Sequence, residues 1–543
     1  MTRLTGGQAL ARALRAEGID TVFGIVGTHN AHLFDGLYQE DGVRLVTTRH
    51  EQGAGFMADG YARATGRIAA CVVVPGPGLT NLMTPLGQAF LDSVPVLAIT
   101  GQNPTARLDP ALEEFHQLRD SLAVASAVTA SAVRATSPAA TAAAVHDAVA
   151  FMRSQRPQPT LIEVPLDVAG ASEEVPEWRP RGNPAPARGD TDAVRQAGDL
   201  LRQARRPMIV AGGGVIGADA APLVRRLAER LGAPVVMSLH GRGALADDHP
   251  LSLGDGWSRL DYFDALFDQS DLCLAVGVSF DGVTDPRRGA RLPSSLIHVD
   301  IDPSAIGRHR PATVGIVGDA CAVLQQLDAE LPAGHAAAPW CDLPAVRAGK
   351  QRALEEAAGP VVRLLRAVRS AIPRHALVAD DLCLPGYWAP AALDVFEPRT
   401  FLHPGTYGTL GYALPAAIGA QIGRPDQPAI ALCGDGGFLY TSQELATAVQ
   451  EGVHLVAIVF NDNAYGALRL YQERHFAGRR IGVELRNPDF ARLGEAYGAR
   501  GVKLASSADL ADAVAAAVGR AGPTVIECPL DGELATCRPP WMV

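Results

Sequence analysis

The sequence predicts an α/β protein: open parallel sheets flanked by helices, in three domains. Three observations lead there. The chain has 543 residues, more than one hydrophobic core accommodates. Short apolar runs alternate with segments of helical spacing, the pattern of strands buried on both faces between crossover helices. Two stretches rich in proline, alanine and charge, 172–189 and 332–344, break the alternation and read as linkers.

The first domain opens with helical spacing over 5–17. An apolar strand, TVFGIV at 21–26, runs into Gly27-Thr28-His29-Asn30. A second strand, 43–47, ends at Arg49-His50-Glu51, and a helix follows over 52–64. The strand at 69–74 runs into PGPGLTN, closing on Asn81, and a fourth at 94–100 ends at Gly101-Gln102. Polar and glycine-rich residues gather at the C-terminal end of each strand, where open α/β sheets place ligands. The middle domain opens with a strand at 207–211 and GGGVIG at 212–217, formally G-x-G-x-x-G. Close strand–helix packing explains those glycines at least as well as a dinucleotide does, and no acid follows at the usual ribose-binding distance. The domain closes near HVDIDP at 298–303 and reaches about Leu331.

The third domain carries the most informative stretch, LCGDGGFLYTSQELATAVQEGVHLVAIVFNDNAYG at 432–466. Its spacing predicts a strand at 429–433, a glycine turn at 434–437, a helix at 442–449, a strand at 453–460 and a polar turn at Asn461-Asp462-Asn463. Parallel strands joined by a right-handed crossover lie side by side. Asp435 and Asp462, 27 positions apart, therefore converge. Carboxylate and carbonyl oxygens suit Mg²⁺, which commonly shares its shell with ligand phosphates. Glycine amides and a helix start favour the phosphate itself.

Composition excludes several classes. With 48% hydrophobic and 20% charged residues the chain is neither disordered nor fibrous. Net charge of −10 and a pI near 5.8 argue against nucleic acid or an anionic membrane as partner. Eight cysteines without a CxxC pair read as reduced residues of a cytoplasmic protein. The N-terminus lacks an apolar signal core, and no run reaches transmembrane length.

GDG followed, after a helix and a strand, by Asn461-Asp462 resembles the thiamine diphosphate motif. Nearly the whole chain is similar to the acetolactate synthase and 2-oxoacid decarboxylase superfamily, which includes benzaldehyde lyase-like members. The resemblance implies three doubly wound parallel-sheet domains: pyrimidine-binding over 1–170, middle over 189–331, and diphosphate-binding over 347–530, with a tail, 531–543, expected to fold over a site. It implies thiamine diphosphate, and Mg²⁺ held by Asp435, Asp462 and the carbonyl of Ala464. The family more often has Asn at the second position, so Asp462 adds negative charge. Gly434, Gly436, Gly437 and Tyr465 would line the diphosphate. Glu51, in TTRHEQGAG, matches the glutamate that protonates the pyrimidine N1′ and so promotes loss of the thiazolium C2 proton; without that context it would read as a helix N-terminal carboxylate. Leu410, within Gly408-Thr409-Leu410-Gly411, matches the wedge that bends the cofactor, and the Gly408 carbonyl would accept from its 4′-amino group. His29 matches a proton-handling histidine, with a near-neutral pKa suited to the task. Gln117 matches a pocket glutamine, although the adjacent His116 could be the working residue, and Asn81 a pocket asparagine.

The resemblance also implies a site shared between subunits of a homodimer or homotetramer. FAD is doubtful, because both arginines of the synthase flavin pattern are missing from 253–257 and 279–283. Apolar Ala467-Leu468 stands where simple pyruvate decarboxylases carry a glutamate, as in carboligating and lyase members. The implied activity is making or breaking a C–C bond beside a carbonyl of a 2-oxo acid, aldehyde or acyloin, through an enamine. The alternatives are an acetolactate synthase-like transferase and a catalytically inactive homologue.

Overall fold

The computed structural model describes residues 1–177, 182, 185–256, 261–280, 292–332 and 337–542. The described residues form three parallel six-stranded sheets. With the six strands of each sheet numbered in chain order, the first and third both run 2-1-3-4-6-5, whereas the middle sheet runs 3-2-1-4-5-6. The outer domains thus share one plan. The middle domain has the dinucleotide-fold order, but its glycines serve packing: a Cβ on Gly212 would overlap the carbonyl oxygen of Gly277. Trp257 and 281–283, which belong to the stretches compared with the flavin pattern, lie outside the described residues. No described helix is long and apolar enough to cross a membrane.

Two local expectations differ from the structure. Ser172–Val175, expected within the linker, forms a strand antiparallel to Thr2–Thr5. Leu4 and Val175 are buried there, Glu173 on the same side as Val175 accepts the Ala139 amide at 2.6 Å, and Ser172 and Glu174 are exposed, so the polar letters of SEEV mask an alternating strand. The glycine run after Gly434 is not a turn but the first turn of a helix, Asp435–Thr441, followed by a second, Glu444–Gln450. Burial of Phe438 and Thr441 rewards the helix early enough to override the low propensity of the glycines.

The outer domains are fused through one hydrophobic core, which runs from Phe23, Phe56 and Tyr61 to Tyr412, Phe438 and Phe490. At its centre the helix Glu51–Thr65 crosses the helix Ala413–Gly423 at backbone contact: a Cβ on Gly60 would overlap the Ala416 carbonyl oxygen, and one on Gly419 that of Met57. A buried polar network pins the crossing. Tyr412 donates to Asp59 (2.7 Å), which also receives Arg63 Nε (2.6 Å), and Arg63 reaches Asp92 (2.8 Å). Asp92 in turn accepts the amides of Gly405 and Thr406 from the third domain, while His240 of the middle domain lies 3.2 Å away. Burial alone would raise the Asp92 carboxyl, but His240 and Arg63 hold it well below the usual range.

The helix Leu343–Ala371 carries the chain from the middle to the third domain. Leu343 sits in the middle core and Leu354 in the third, and the helix kinks at Ala358, just before Gly359-Pro360.

The crossing leaves no room for a methyl group. Gly60→Ala should therefore cost about 1–3 kcal/mol despite alanine's better helix propensity. Chemical unfolding checks this, and an unchanged or raised stability contradicts the packing described.

Candidate active site

The strands Ala429–Gly434 and Leu455–Asn461 are parallel neighbours, with Gly434 opposite Phe460. Their C-terminal ends therefore bring Asp435 and Asp462 to one point, as their spacing predicts. Asp435 is the first residue of its helix and is buried. One carboxylate oxygen accepts the Gly436 amide (2.8 Å); the other accepts the Ala464 amide (3.2 Å) and the side chain of Asn487 (2.7 Å). Asp462 pairs with Arg469 at 2.9 Å, which offsets its extra negative charge. Burial raises both carboxyls, and the facing charge of Asp435 helps push Asp462 up to about 6. Asn463, at φ 52°, makes the tight turn that presents Ala464.

A cavity of about 210 Å³ opens at this point. Gly434, Asp435, Gly436, Gly437, Asp462, Ala464, Tyr465 and Leu410 all line it. Tyr465 lies over Gly436, where a Cβ would sit 2.5 Å from its ring. Gly408 lies at the exposed end of the turn that carries Leu410, with φ 69°. Asp381, fully buried, ties that turn down by accepting the Gly411 amide at 2.9 Å. Burial pushes its carboxyl up to about 7.

The first-domain residues form a second cluster. Glu51 begins the helix that crosses to the third domain, and Asn81 donates to its carboxylate at 2.9 Å. Asn81 thus orients Glu51. His29 is buried at the end of the strand Thr21–Gly24, with Nε2 3.0 Å from Asn103 Oδ1. The Asn103 amide donates to the Phe115 carbonyl, so its oxygen faces the imidazole and receives Nε2–H. His116, at φ 62°, lies 5.2 Å from His29 ring to ring and stacks on Phe115. Burial and the neighbouring His29 lower its pKa, against the pull of Glu51. Gln117 is not part of the cluster: its amide accepts the Glu114 amide and donates to the Asp109 carbonyl within its own loop.

Sequence reasoning missed several lining residues. Asn487 comes from a loop 52 positions beyond Asp435. Leu382, Cys383, Leu384 and Tyr387 come from the end of the strand Leu377–Asp380, and Leu534, Ala535, Cys537 and Pro539 from the tail. Trp388 anchors that tail by donating to the Arg538 carbonyl at 2.8 Å. A strand end rich in Asp380-Asp381 was a readable signal for the first group; nothing in the spacing marks Asn487.

Comparison with known proteins fits this geometry. Profiles of the thiamine pyrophosphate enzyme N-terminal, central and C-terminal domains match residues 4–124, 194–327 and 383–528. The chain belongs to the thiamine pyrophosphate enzyme family. Among its relatives is the probable 2-ketoarginine decarboxylase of Pseudomonas aeruginosa, 40% identical over 96% of this chain and 94% of that protein. The acetolactate synthase large subunit of Corynebacterium glutamicum is 35% identical over 94% of this chain and 84% of its own length. The probable acetolactate synthase large subunit of Methanocaldococcus jannaschii is 32% identical over 97% and 92%. Family membership accounts for both clusters: one matches the N-terminal domain profile, the other the C-terminal.

The raised Asp462 carboxyl has a consequence for stability. It binds its proton more tightly in the fold than in the unfolded chain, so stability falls as pH rises from about 4 through about 6. Asp462→Asn should flatten that part of the melting-temperature profile of the cofactor-free protein. A slope equal to that of the parent contradicts the assigned environment.

Proposed function

We propose that the chain is a thiamine diphosphate- and Mg²⁺-dependent enzyme of the 2-oxoacid decarboxylase type, with its site completed by a second copy of the chain. The observation that carries the proposal is the pair of carboxylates, buried Asp435 and half-buried Asp462, that line one cavity at a glycine-lined helix start. Burial raises both, and the charge of Asp435 raises Asp462 further, so a cation between them relieves the site. No three His, Cys, Asp or Glu side chains gather as a metal set among the described residues. A cation here would therefore take two carboxylates, the Ala464 carbonyl and ligand oxygens, a set that suits Mg²⁺ bridging a diphosphate.

When bound, thiamine diphosphate supplies a carbon nucleophile and an electron sink for the bond beside the substrate carbonyl. The protein's residues do the rest. Asp435, Asp462 and the Ala464 carbonyl would hold the metal, and the glycine-lined helix start at 434–437 would receive the diphosphate. Leu410, held by the Asp381-anchored turn, would support the cofactor between its rings. Glu51, aimed by Asn81, would hold the proton needed at the pyrimidine. His29 and His116 hold and move protons at the substrate oxygen and carboxylate. Apolar Leu384, Tyr387 and Leu468 exclude water.

No first-domain residue lines the cavity around Asp435, which supports completion by Glu51 of a second copy. Exposed apolar side chains flank both clusters: Tyr407, Leu439, Tyr440 and Leu468 in the third domain, Val26 and Phe115 in the first. Such surfaces are covered in an oligomer. The decarboxylase version rests on the imidazole pair and on the 2-ketoarginine decarboxylase among the relatives. The synthase relatives support a second version, transfer of the residual two-carbon unit to another 2-oxo acid.

Activity towards a panel of 2-oxo acids, with 5-guanidino-2-oxopentanoate and pyruvate included, tests the proposal. Release of CO₂ should require both thiamine diphosphate and Mg²⁺ and cease with EDTA. Glu51→Gln should lower turnover by about 100-fold or more without loss of fold. Turnover equal to that of the parent, or indifference to added thiamine diphosphate, contradicts it.

A further inference from the structure

The third domain also reaches into the first at one point that no role above uses. Glu444 begins the helix Glu444–Gln450, directly after the helix that starts at Asp435. It is completely buried. Its carboxylate accepts the backbone amide of His50 at 2.9 Å and that of Arg49 at 3.2 Å, the two residues that precede Glu51. Thr447 donates to its other oxygen at 2.7 Å. The first domain leaves a socket for this carboxylate: a Cβ on Gly53 would overlap Glu444 Oε1. The burial cost of a carboxylate is met by three donors, two of which lie in the turn that launches the Glu51 helix.

We propose that Glu444 is a positioning residue for Glu51: a third-domain carboxylate that clamps the amides of Arg49 and His50 and thereby sets the direction of the catalytic acid. The inference rests on the reading of Glu51 given above. Backbone amides at a helix start have no partner within the helix, and whatever accepts them fixes the entry angle of the chain. His50 caps the helix locally, its ring accepting the Gln52 amide at 3.1 Å, and the Arg49 side chain reaches the Thr47 carbonyl at 3.0 Å, whereas the backbone amides of Arg49 and His50 donate across to Glu444. A small rotation of this turn displaces the Glu51 carboxylate from the ring atom it serves, and misplacement of about 1 Å can cost about 100-fold in rate.

Two sets of variants test it. Glu444→Ala removes the acceptor; Glu444→Gln keeps one acceptor oxygen at the same reach. Gly53→Ala leaves Glu444 intact but fills its socket. Each is measured for kcat and KM with saturating thiamine diphosphate and Mg²⁺, and each cofactor-free protein for amide hydrogen exchange by mass spectrometry with peptides over 47–56. The expected result for Glu444→Ala and Gly53→Ala is a kcat lower by about 10- to 100-fold with KM within about twofold. Faster exchange confined to 49–52 should accompany it, with Glu444→Gln intermediate on both measures. Unchanged kcat in Glu444→Gln and Gly53→Ala overturns the inference, as does a loss of protection spread evenly through the chain. If Glu51→Gln itself keeps full turnover, the reading of Glu51 fails rather than the clamp, whose exchange signature stands independently.

Discussion

The arrangement depends on one contact above others: the backbone-close crossing of Glu51–Thr65 and Ala413–Gly423. Both helices begin at functional turns, the first at Glu51 and the second just after Leu410. Because glycines at 60 and 419 bring the two backbones together, neither helix can slide without breaking the network of Asp59, Arg63, Tyr412 and Asp92. The crossing joins the outer domains through one core and sets the relative placement of Glu51 and of the turn that carries Leu410. A buried charge network of this kind adds little net stability, yet removing one member leaves the others uncompensated. Its contribution is one defined geometry.

The two half-sites follow a common logic. The outer sheets have the same strand order, and each carries its candidate site residues beyond the C-terminal ends of its strands. In the third domain those ends offer carboxylates and a helix start; in the first they offer a carboxylate, an amide and two imidazoles. Electrostatics differ accordingly. Around Asp435, burial and like charge push carboxyls up, which suits a cation. Around His29 and His116, burial pushes an imidazole down, which keeps it neutral and able to accept a proton near pH 7. The middle domain supplies His240 to the shared network, and its glycine turn packs against Gly277.

Much of this was legible in the residues. The strands that precede His29, Asp435 and Asp462 are short and mostly apolar, so period and length identified them, and the crossover rule placed Asp435 beside Asp462. What escaped was set by tertiary context. Glu113 and His116 both have positive φ, and in that loop Gln117, to which the family match pointed, bonds its own neighbours while the alternative, His116, lies beside His29. Asn81 reads as a pocket residue in sequence, but its function as the orienter of Glu51 needed coordinates. Asn487, Asp381 and Glu444 act through hydrogen bonds to distant backbone or side chains, and no local pattern records such partners. The strand at Ser172–Val175 was hidden because three of its four residues are polar, Glu173 facing inward only to accept the Ala139 amide.

The central claim is that Glu51 and Asp435 serve the same cofactor from different copies of the chain. Subunit mixing tests it most directly. Glu51→Gln and Asp435→Ala should each be inactive alone. When the two variants are unfolded together and refolded with thiamine diphosphate and Mg²⁺, random pairing should leave half of the dimers mixed, each with one intact site, and restore about a quarter of parental activity. Activity that stays at the level of the separate variants contradicts the shared site and places both residues on one chain's own cofactor.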